Sequence, residues 1–513
     1  MKKFSLKNLF FSLTCLFFLQ SCSIWNLVPE GSNSSTRISS ESIINTSSED
    51  IPTRSVLPFS MYELGKNNWQ YYCPSTGNVR ALVIPVEFTD FPFASNYADV
   101  LDRAFNGNGV NSTGYWESAS SFYKKSSYGK LNISFTIAPK YQTGMNTLTA
   151  ISRYGTNSGQ VQDNAGYFLK EAIANYKKSA STKQFDSNSD GFIDNVILVY
   201  SANNAKNTTR YSDTFFWAYT YWAPYTRTGR NDTSWVYPNV VSPTPNTYIW
   251  LSIDFFSHPN SRTYIDAHTL IHEMGHSFGL DDYYPTDESN FYPAGGLDMM
   301  DLNILDHDAY SKMILGWYEP VVVDKECVVS ISALASKGEA ILIPGSKWNG
   351  TAYDEYMLVE FYKPVELNYL DSHTRYPNRT LGYSVNGVKV YHIDSRLIEI
   401  DTQERIKFVD ITNVNQFKDD CFYQIGPSNN AKIEEIKDYS LLHLMEANGV
   451  FTFKYGQIGT NDTLFKVGNS FSLNTFSSFF PKRTTFNSGA TFNYRITVNS
   501  IGSDSAQIRI SSI

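Results

Sequence analysis

The amino-acid sequence predicts two regions, an α/β (α+β) region over residues 58–320 and a β-rich, sandwich-like region over 321–513. In the first region, apolar runs typical of buried strands alternate with helical patterns, so helices are expected to pack on a sheet. In the second region, helical patterns are scarce and short apolar runs alternate with polar turns. Aromatic residues make up 15% of the chain, which favours strands and packed cores over disorder.

The elements of the first region follow from apolar spacing and from the residues at their ends. Ser118 can cap a helix that ends at Gly129, and Ser261 can cap a later helix that ends at Gly279. The predicted strands cover 81–88, 131–137 and 195–200, and the predicted helices cover 118–128, 164–176 and 262–278. The core-facing stripe of the last helix consists of Ala267, Leu270, Met274 and Phe278. In the second region, the runs that predict strands include 340–343, 356–361, 388–393 and 492–498.

Residues 1–21 predict a lipoprotein signal peptide. A basic start precedes an apolar stretch over 9–19, which is too short for a comfortable membrane span. Leu19 lies three residues before Cys22, and a small residue precedes that cysteine, which resembles a bacterial lipoprotein cleavage site. We therefore expect lipidation of Cys22, export, and a lipid anchor to the bacterial membrane that faces outside the cytoplasm. An ordinary secretory signal and an uncleaved anchor are the alternatives.

Residues 22–57 are rich in Ser, Thr and Asn and lack apolar periodicity, which predicts a tether or a short pro-segment. Ordered structure is expected to begin near Val79. The net charge is -8, and no basic run stands out beyond the N-terminus. This charge argues against nucleic-acid binding as the main role, and we expect a monomer.

The most specific chemical signal is His272, Glu273 and His276, which form the pattern HExxH. The four-residue spacing places both imidazoles on one helix face, where they can share a metal ion. Glu273 lies about 100° round the helix, within reach of a water bound to that ion. Zinc lowers the pKa of such a water to roughly 7, and the glutamate can take its proton and pass it to the leaving amine. The pattern therefore predicts peptide-bond hydrolysis with Glu273 as the general base.

The third zinc ligand is expected shortly after the helix. Asp282 falls six residues after His276, where a chain turned back at Gly279 can bring a carboxylate to the metal. Asp281 is adjacent, and spacing does not exclude it or a more distant ligand. Cys73 precedes the motif and can be imagined as a latency switch on the zinc, although a buried or free thiol is favoured. The cysteines Cys73, Cys327 and Cys421 are odd in number, so they allow at most one disulfide.

The other histidines are expected to be structural. His268 lies four residues before His272 on the same face. Because one turn of helix rises roughly 5.4 Å, three successive histidines cannot easily bind one ion. We expect His268 at the surface or beside the ligands, and the remaining histidines are treated as structural: His258, His307, His373, His392 and His443.

The segment 186–194 predicts a structural calcium loop, because oxygen ligands occur at alternate positions and Gly191 lies at the turn. The expected ligands are the side chains of Asp186, Asn188, Asp190 and Asp194 and the carbonyl of Phe192. The twelfth position is Ile197, so the loop is not a complete EF-hand. An Asx-rich turn without an ion is the alternative.

These residues resemble the immune inhibitor A family of secreted bacterial zinc metallopeptidases. The resemblance is carried by 272–284 and by the segments 127–131, 186–194, 297–301 and 309–317. It implies a metzincin-like zinc endopeptidase (HExxHxxGxxD) that acts on extracellular proteins or peptides, with Met300 at the methionine turn and Met299 as the alternative. Asp281 stands where the family commonly has Pro. Leu302 stands where some metzincins have a Tyr that binds the oxyanion, which leaves Tyr310 as a candidate donor.

Two other functions stay open at this point. The first is a non-catalytic surface-binding lipoprotein that keeps a metallopeptidase fold, although such a protein has no need of Glu273. The second is a zinc hydrolase that acts on non-protein substrates such as glycans. The pattern favours a lipid-anchored endopeptidase with zinc as catalytic metal and calcium as structural metal.

Overall fold

The computed structural model describes residues 55–57, 61–68, 70–155, 165–223, 236–285, 291–412, 418 and 421–513. The predicted signal peptide, Cys22 and almost all of 22–57 lie outside the described residues, as does residue 164 of a predicted helix. Within the described part of the chain, no helix combines the length and apolarity that a bilayer crossing requires.

The fold is mixed α/β with several sheets and a β-rich C-terminal region. The helices are α1 Met61–Asn67, α2 Tyr97–Asn106, α3 Val110–Thr113, α4 Ala119–Ser126, α5 Thr147–Tyr154, α6 Gly166–Tyr176, α7 His268–Ser277, α8 Met299–Leu302, α9 Ala309–Ile314, α10 Leu334–Lys337 and α11 Tyr369–His373. The first strands are β1 Gly77–Glu87, β2 Leu131–Ile137, β3 Tyr141–Gln142, β4 Phe192–Ile193, β5 Val196–Tyr200, β6 Tyr219–Trp222, β7 Thr244–Pro245 and β8 Thr247–Ser252. The later strands are β9 Val321–Val322, β10 Cys327–Ser332, β11 Ala340–Pro344, β12 Glu355–Tyr362, β13 Gly387–Asp394, β14 Leu397–Ile400, β15 Ile406–Val409, β16 Phe422–Ile425, β17 Leu442–Leu444, β18 Ser470–Phe471, β19 Tyr494–Ile501 and β20 Ser505–Ser512.

The sheet of the first region has the strand order β2-β1-β5-β8-β6, with β3 also paired to β1. The strands β2, β1, β5 and β8 run parallel, and β6 lies antiparallel at one end. Every residue of β5 and β8 is buried, whereas β2 alternates between buried and exposed positions over its first five residues. The three strands predicted in this region are confirmed as β1, β2 and β5, because apolar runs of this kind suit central parallel strands.

Two predicted helices are confirmed with their boundaries nearly unchanged. The Ser118 hydroxyl accepts a hydrogen bond from the Ser121 N–H at 3.1 Å and forms a capping box at the start of α4. Gly129, just beyond the helix, has a φ of 77°, a conformation that glycine adopts without strain. The helix predicted over 164–176 is α6.

The prediction of a helix from residue 262 with a Ser261 cap is wrong. The Ser261 hydroxyl accepts from the Thr263 N–H at 3.3 Å within a turn, and Ile265 donates its N–H to the Thr113 carbonyl. These contacts hold the segment as a loop, so α7 begins at His268. The Asp266 carboxylate accepts a hydrogen bond from the His268 N–H at 3.0 Å. Asp266 therefore satisfies a backbone donor at the start of the helix, a role that the sequence predicts for Ser261.

Ordered structure also begins before the predicted position near Val79. Leu57 forms a bridge with Thr351, and α1 contacts β16. The Tyr62 hydroxyl on α1 donates to Asp190 at 2.6 Å. The α1 segment therefore joins the predicted calcium loop to the C-terminal region, and sequence periodicity over so short a helix could not indicate this.

The C-terminal region confirms the predicted β-rich character. The order in one sheet is β10-β20-β19-β18 and in the other β17-β13-β12-β11-β9, and the two share one apolar core. A smaller sheet has the order β15-β14-β16. The predicted runs correspond to β11, β12, β13 and β19. A second core continues from the first region into this one, since Met300 and Tyr310 belong to the same buried cluster as Leu358 and Tyr391.

Candidate metal centre and catalytic site

Helix α7 carries the two histidines of the motif and packs on β6 and β8. The predicted stripe of α7 and its flanking residues is buried, with Leu270 and Met274 fully inaccessible. His272 and Glu273 are also buried, while His276 keeps part of its side chain exposed. The helix therefore buries its apolar stripe and presents the polar residues of the motif to one another.

Two imidazole nitrogens and one carboxylate oxygen converge beside α7. The Oδ1 atom of Asp282 lies 3.0 Å from Nε2 of His272 and 3.3 Å from Nε2 of His276. Among the described residues, these three form the one group of His, Cys, Asp or Glu ligand atoms that could hold a metal ion. The structure therefore brings together the two predicted histidines and Asp282.

The outer nitrogen of each imidazole is fixed by a backbone carbonyl. Nδ1 of His272 lies 2.8 Å from the Met299 carbonyl, and Nδ1 of His276 lies 2.8 Å from the Leu280 carbonyl. Because a carbonyl only accepts, Nδ1 must be the donor in each pair. In the neutral ring, Nε2 then carries its lone pair towards Asp282, which is how metal-binding histidines are oriented in proteins.

Residues of the C-terminal region form different hydrogen bonds with the two adjacent acids, Asp281 and Asp282. The Ser428 hydroxyl donates to Oδ2 of Asp281 at 2.5 Å. The Asn430 amide donates to Oδ2 of Asp282 at 3.2 Å and to the Tyr284 carbonyl at 3.1 Å. Asp282 thus has one oxygen held by an amide and the other directed at the histidines, while Asp281 bonds elsewhere.

The charged forms of His276 and Asp282 stabilise each other, and each shifts the pKa of the other. Burial alone would raise the pKa of Asp282, but the neighbouring His276 and His272 hold it well below its usual range. Burial would likewise lower the pKa of His276, but Asp282 raises it to about 10. For Asp281, burial raises the pKa to about 6 despite the hydrogen bond from Ser428. Asp282 therefore stays ionised at neutral pH, as an anionic metal ligand must.

Glu273 is buried between α7 and the edge strand β6. The Thr220 hydroxyl on β6 lies 2.6 Å from the Glu273 carbonyl and 3.1 Å from its Oε2 atom. Burial raises the pKa of Glu273, although the two imidazoles and the threonine oppose this shift. A raised pKa improves a carboxylate as a proton acceptor near neutral pH. No local sequence pattern marks Thr220, which lies 53 residues from Glu273.

Met300 lies directly beneath α7. A Cβ atom built on Gly275 would meet the sulfur of Met300 and would lie 3.0 Å from its Cε atom. The Met299 carbonyl instead accepts from His272. The two methionines thus have different contacts, because Met300 packs against Gly275 of α7 and Met299 bonds His272 through its carbonyl, and the methionine turn stays a prediction.

We predict that Gly275→Ala destabilises the protein by about 1–3 kcal/mol, because the added methyl group overpacks the contact with Met300. Gly275 stands between the two histidines, so metal affinity should fall as well. Thermal unfolding with and without zinc measures both effects. Gly502→Ala is the control, because its added Cβ would meet nothing closer than the Ser505 carbonyl at 3.4 Å. Equal melting temperatures for the two variants would contradict this prediction.

His268 is a buried ion-pair partner and does not lie at the surface, contrary to one of the two placements expected. Its Nδ1 atom lies 2.8 Å from Asp266, and its Nε2 atom lies 3.7 Å from Asp371. The ring stacks between Trp116 and Tyr376, with centroids 4.1 Å and 4.2 Å away. Burial opposes the charge on this imidazole, but the two carboxylates raise its pKa to about 9.

This ion pair predicts a pH dependence of stability. The folded-state pKa of His268 is about 9 and its ordinary value is 6.5. The stabilisation should therefore be complete below about pH 6.5 and vanish as the pH rises through about 9, with a magnitude on the order of 3 kcal/mol. The groups that face the ring are Asp266, Asp371, Tyr115, Trp116, His258 and Tyr376.

The measurement is the difference in melting temperature between wild type and His268→Gln from pH 6 to pH 10. This difference should shrink as the pH rises. His373→Gln removes an exposed histidine and should leave the pH profile unchanged. A constant difference for His268→Gln would show that folding does not raise the pKa of this imidazole.

Two tyrosines near the site, Tyr310 and Tyr284, are candidate hydrogen-bond donors. Tyr310, the candidate from the sequence, is buried on α9 and lies in the wall of a cavity beside His276. Tyr284 was missed, although its hydroxyl bonds Asp282 and its ring centroid lies 6.3 Å from that of His272. Burial raises the pKa of Tyr284, and Asp282 and Glu273 raise it further. Tyr284 therefore stays protonated, and its hydroxyl contacts the Asp282 carboxylate of the His/His/Asp group.

Of the described cysteines, Cys73 and Cys327 are free thiols. Cys73 is buried, donates its N–H to the Ser277 carbonyl at 2.8 Å, and does not join the His/His/Asp group. Burial raises its pKa well above the usual range. These observations fit the buried thiol that the sequence favoured over a latency switch.

The predicted calcium loop is closed by its own backbone. The Asp186 carboxylate accepts from the N–H groups of Asp190 and Gly191 at 3.0 Å and 3.2 Å. Asp190 accepts from the Phe192 N–H at 2.7 Å, and Asp194 accepts from the Ser187 N–H. Asn188 also accepts from the Asp190 N–H at 3.2 Å.

A carboxylate has lone pairs to spare after such bonds, so the loop can accept an ion. The three aspartates, however, do not form a cluster of ligand atoms as close as that of the zinc motif. Burial and the neighbouring aspartates raise the pKa of Asp194 to about 7. Calcium at this loop stays a prediction.

Comparison with known proteins does not name a family for this chain. No protein-family model matches the sequence, and no curated protein matches it either. The resemblance to the immune inhibitor A family therefore stays a prediction.

Proposed function

We propose that the protein is a zinc-dependent endopeptidase with a metzincin-like catalytic domain. In this proposal His272, His276 and Asp282 hold the metal, and Glu273 is the general base. The observation that carries the proposal is that the Oδ1 atom of Asp282 lies within 3.3 Å of Nε2 of both His272 and His276, next to a buried glutamate.

The donor set fits zinc. Two imidazole nitrogens and one carboxylate oxygen are a ligand combination that catalytic zinc sites use, with one position left for water or substrate. Each imidazole has its outer nitrogen bonded to a carbonyl, which is the usual support for such ligands. Bound zinc would supply an activated water and would polarise a substrate carbonyl.

The remaining steps belong to the protein's own side chains. Glu273 accepts a proton from the attacking water and delivers it to the nitrogen of the leaving amine, so its carboxylate is restored at the end of each turnover. The Thr220 hydroxyl holds the Oε2 atom of this carboxylate in place. The Tyr284 phenol, protonated and close to the group, can donate a hydrogen bond to the oxyanion.

The strand beside the site supports a polypeptide substrate. β6 lies at the end of its sheet, with β8 as its partner, and carries the Thr220 that contacts Glu273. An edge strand presents backbone groups that can pair with an extended peptide. A chain bound along β6 would pass next to the glutamate, which suits cleavage within a chain.

The proposed setting is outside the cytoplasm. The N-terminal sequence supports this setting, because it predicts export and a membrane anchor formed by lipid on Cys22. The loop that contains Asp186, Asn188, Asp190, Phe192 and Asp194 is proposed to bind calcium in a structural role. Extracellular proteins or peptides are the proposed substrates.

The test is metal analysis combined with a protease assay. Purified protein should contain about one zinc per chain and cleave casein, and a chelator should remove both the metal and the activity. Restoring zinc should restore cleavage. Protein that binds zinc without cleaving any protein would favour the non-catalytic surface-binding alternative, and folded protein that takes up no metal would overturn the proposal.

A further inference from the structure

A cavity of about 470 Å³ lies where three separate segments of the chain meet. Tyr292 and Leu302 contribute from the segment after the HExxH motif, Ile458 contributes from the C-terminal region, and the remaining walls come from 375–380. None of the described lining residues belongs to the His/His/Asp group, so the cavity is separate from the proposed metal centre. A cavity of this size is typical of pockets for small organic ligands.

Two of the residues that line this cavity are arginines, Arg375 and Arg379. In the part of the chain that the structure describes, neither guanidinium forms an ion pair with a carboxylate. Burial raises the pKa of Asp301 to about 7, and Arg379 opposes this shift. This carboxyl accepts from the N–H groups of Ala294 and Gly296 and does not pair with the guanidinium. In a protein with a net charge of -8, the cavity therefore gathers positive charge that an anion can neutralise.

The donors of Arg379 are oriented before any ligand arrives. Its Nε atom donates to the Leu302 carbonyl at 2.7 Å, and Nη1 donates to the Asn378 carbonyl at 3.4 Å. Nη2 has no hydrogen-bond partner among the described residues. The Oγ1 atom of Thr380 is buried and likewise has none there. A guanidinium fixed through Nε keeps its outer N–H groups in the fork geometry that suits carboxylates and phosphates.

The segment 375–380 is itself anchored to the fold. The Tyr376 hydroxyl donates to Asp266 at 2.8 Å, and its ring stacks on that of His268 with centroids 4.2 Å apart. The Arg379 N–H donates to the Tyr376 carbonyl at 3.0 Å. Because these contacts already order the segment, a ligand that binds here does not have to supply the ordering free energy.

The size and the other walls of the cavity indicate what the anion is attached to. A water molecule takes up about 30 Å³ of liquid, and a carboxylate or phosphate group takes up only a few times as much. The remaining space is bordered by the half-buried side chains of Tyr292, Leu302 and Ile458. These side chains offer apolar surface, which favours an organic body over a free inorganic ion.

We propose that this cavity binds a carboxylate or phosphate group that is carried on an organic body. Arg379 and Arg375 are its cationic partners, the Thr380 hydroxyl donates a further hydrogen bond, and the organic body packs against Tyr292 and Leu302. Two sources can supply this chemistry, an acidic side chain of a polypeptide and a small organic phosphate. The proposal goes beyond the proposed peptidase function and does not depend on it.

The experiment measures binding to the purified protein by calorimetry. The probes are acetyl-glutamate amide, acetyl-glutamine amide with nearly the same shape and no charge, phenyl phosphate, and inorganic phosphate. Arg379→Gln removes the anchored guanidinium, and Arg375→Gln removes an exposed one that serves if the first variant does not fold. Arg495→Gln is the matched control, because it removes the same charge at an exposed position on β19. Each titration is repeated after a chelator has removed any metal.

At least one of the two organic anions should bind about tenfold or more tightly than acetyl-glutamine amide, and the tighter one identifies the source. Arg379→Gln should weaken that binding at least about tenfold, since a charge-assisted hydrogen bond is lost. We expect a loss of about threefold for Arg375→Gln and of less than about twofold for Arg495→Gln. Removal of metal should change nothing.

The proposal fails if neither organic anion binds, or if binding is unchanged in both Arg379→Gln and Arg375→Gln. It also fails if binding disappears with the metal, which would place the anion at the His/His/Asp group. Inorganic phosphate that binds as tightly as both organic anions would exclude the organic body. Anion binding by a protein that cleaves no casein would keep this cavity as a ligand site and overturn the peptidase function alone.

Discussion

Replacement of Glu273 by glutamine is expected to lower kcat/KM for peptide cleavage by about 10³-fold, within the range that a general base contributes. Glutamine has nearly the same shape, and its amide oxygen can still accept the hydrogen bond from Thr220. It cannot take a proton from water, however. The loss should therefore fall mainly on kcat, while zinc content and melting temperature stay close to the wild-type values.

The control is Glu319→Gln, which makes the same chemical change at an exposed position. Cleavage of a peptide with a Phe side chain is measured at several concentrations to separate kcat from KM, and zinc is measured by elemental analysis on the same samples. A Glu273→Gln variant that keeps a tenth or more of the wild-type kcat would exclude this glutamate as the base. Loss of zinc in the same variant would point to a role in metal binding.

The parts of the site that sequence could predict are the local ones. His272, Glu273 and His276 lie within five consecutive residues of one helix, so the period of the helix fixes their relation before any tertiary contact forms. The position of Gly279 was predictable in the same way, because its φ of 101° is a backbone conformation that glycine adopts without strain. The capped helix α4 and the buried strands β1 and β5 were predictable for the same reason.

The parts that sequence could not predict depend on distant contacts. Ser428 and Asn430 bond Asp281 and Asp282 across 147 and 148 residues, and no local pattern marks either residue. The start of α7 was also misplaced, since the segment before His268 is drawn into a loop by its bond to the Thr113 carbonyl. Tertiary hydrogen bonds decided these points over local propensity.

Helix α1 and the C-terminal region both border the site for one physical reason. The described apolar core continues from the α/β region into the face of the C-terminal sheet, so the two regions share buried surface. Once they are packed together, α1 and the smaller C-terminal sheet meet near the end of α7. Composition predicted a β-rich second region, but it could not indicate that this region would border the His/His/Asp group.

Replacement of Asp282 by asparagine is expected to weaken zinc binding by at least about 100-fold. Loss of a mere supporting partner of a metal ligand typically costs 10- to 100-fold, and here the ionised ligand itself is lost. The asparagine side chain is nearly isosteric and can keep a contact with Asn430, so the fold should survive. Peptide cleavage should disappear at trace zinc and return only in part at high zinc.

The adjacent acid provides the decisive control, because Asp281→Asn removes the same charge one residue away. Its carboxamide oxygen can still accept from Ser428, and its side chain does not face the histidines. We expect zinc affinity within about threefold of wild type for this variant, since no metal–ligand bond is lost. Competition with a fluorescent zinc chelator gives both affinities. A larger loss in Asp281→Asn than in Asp282→Asn would reverse the assignment and make Asp281 the third ligand, because removal of the ligand itself costs more affinity than removal of its neighbour.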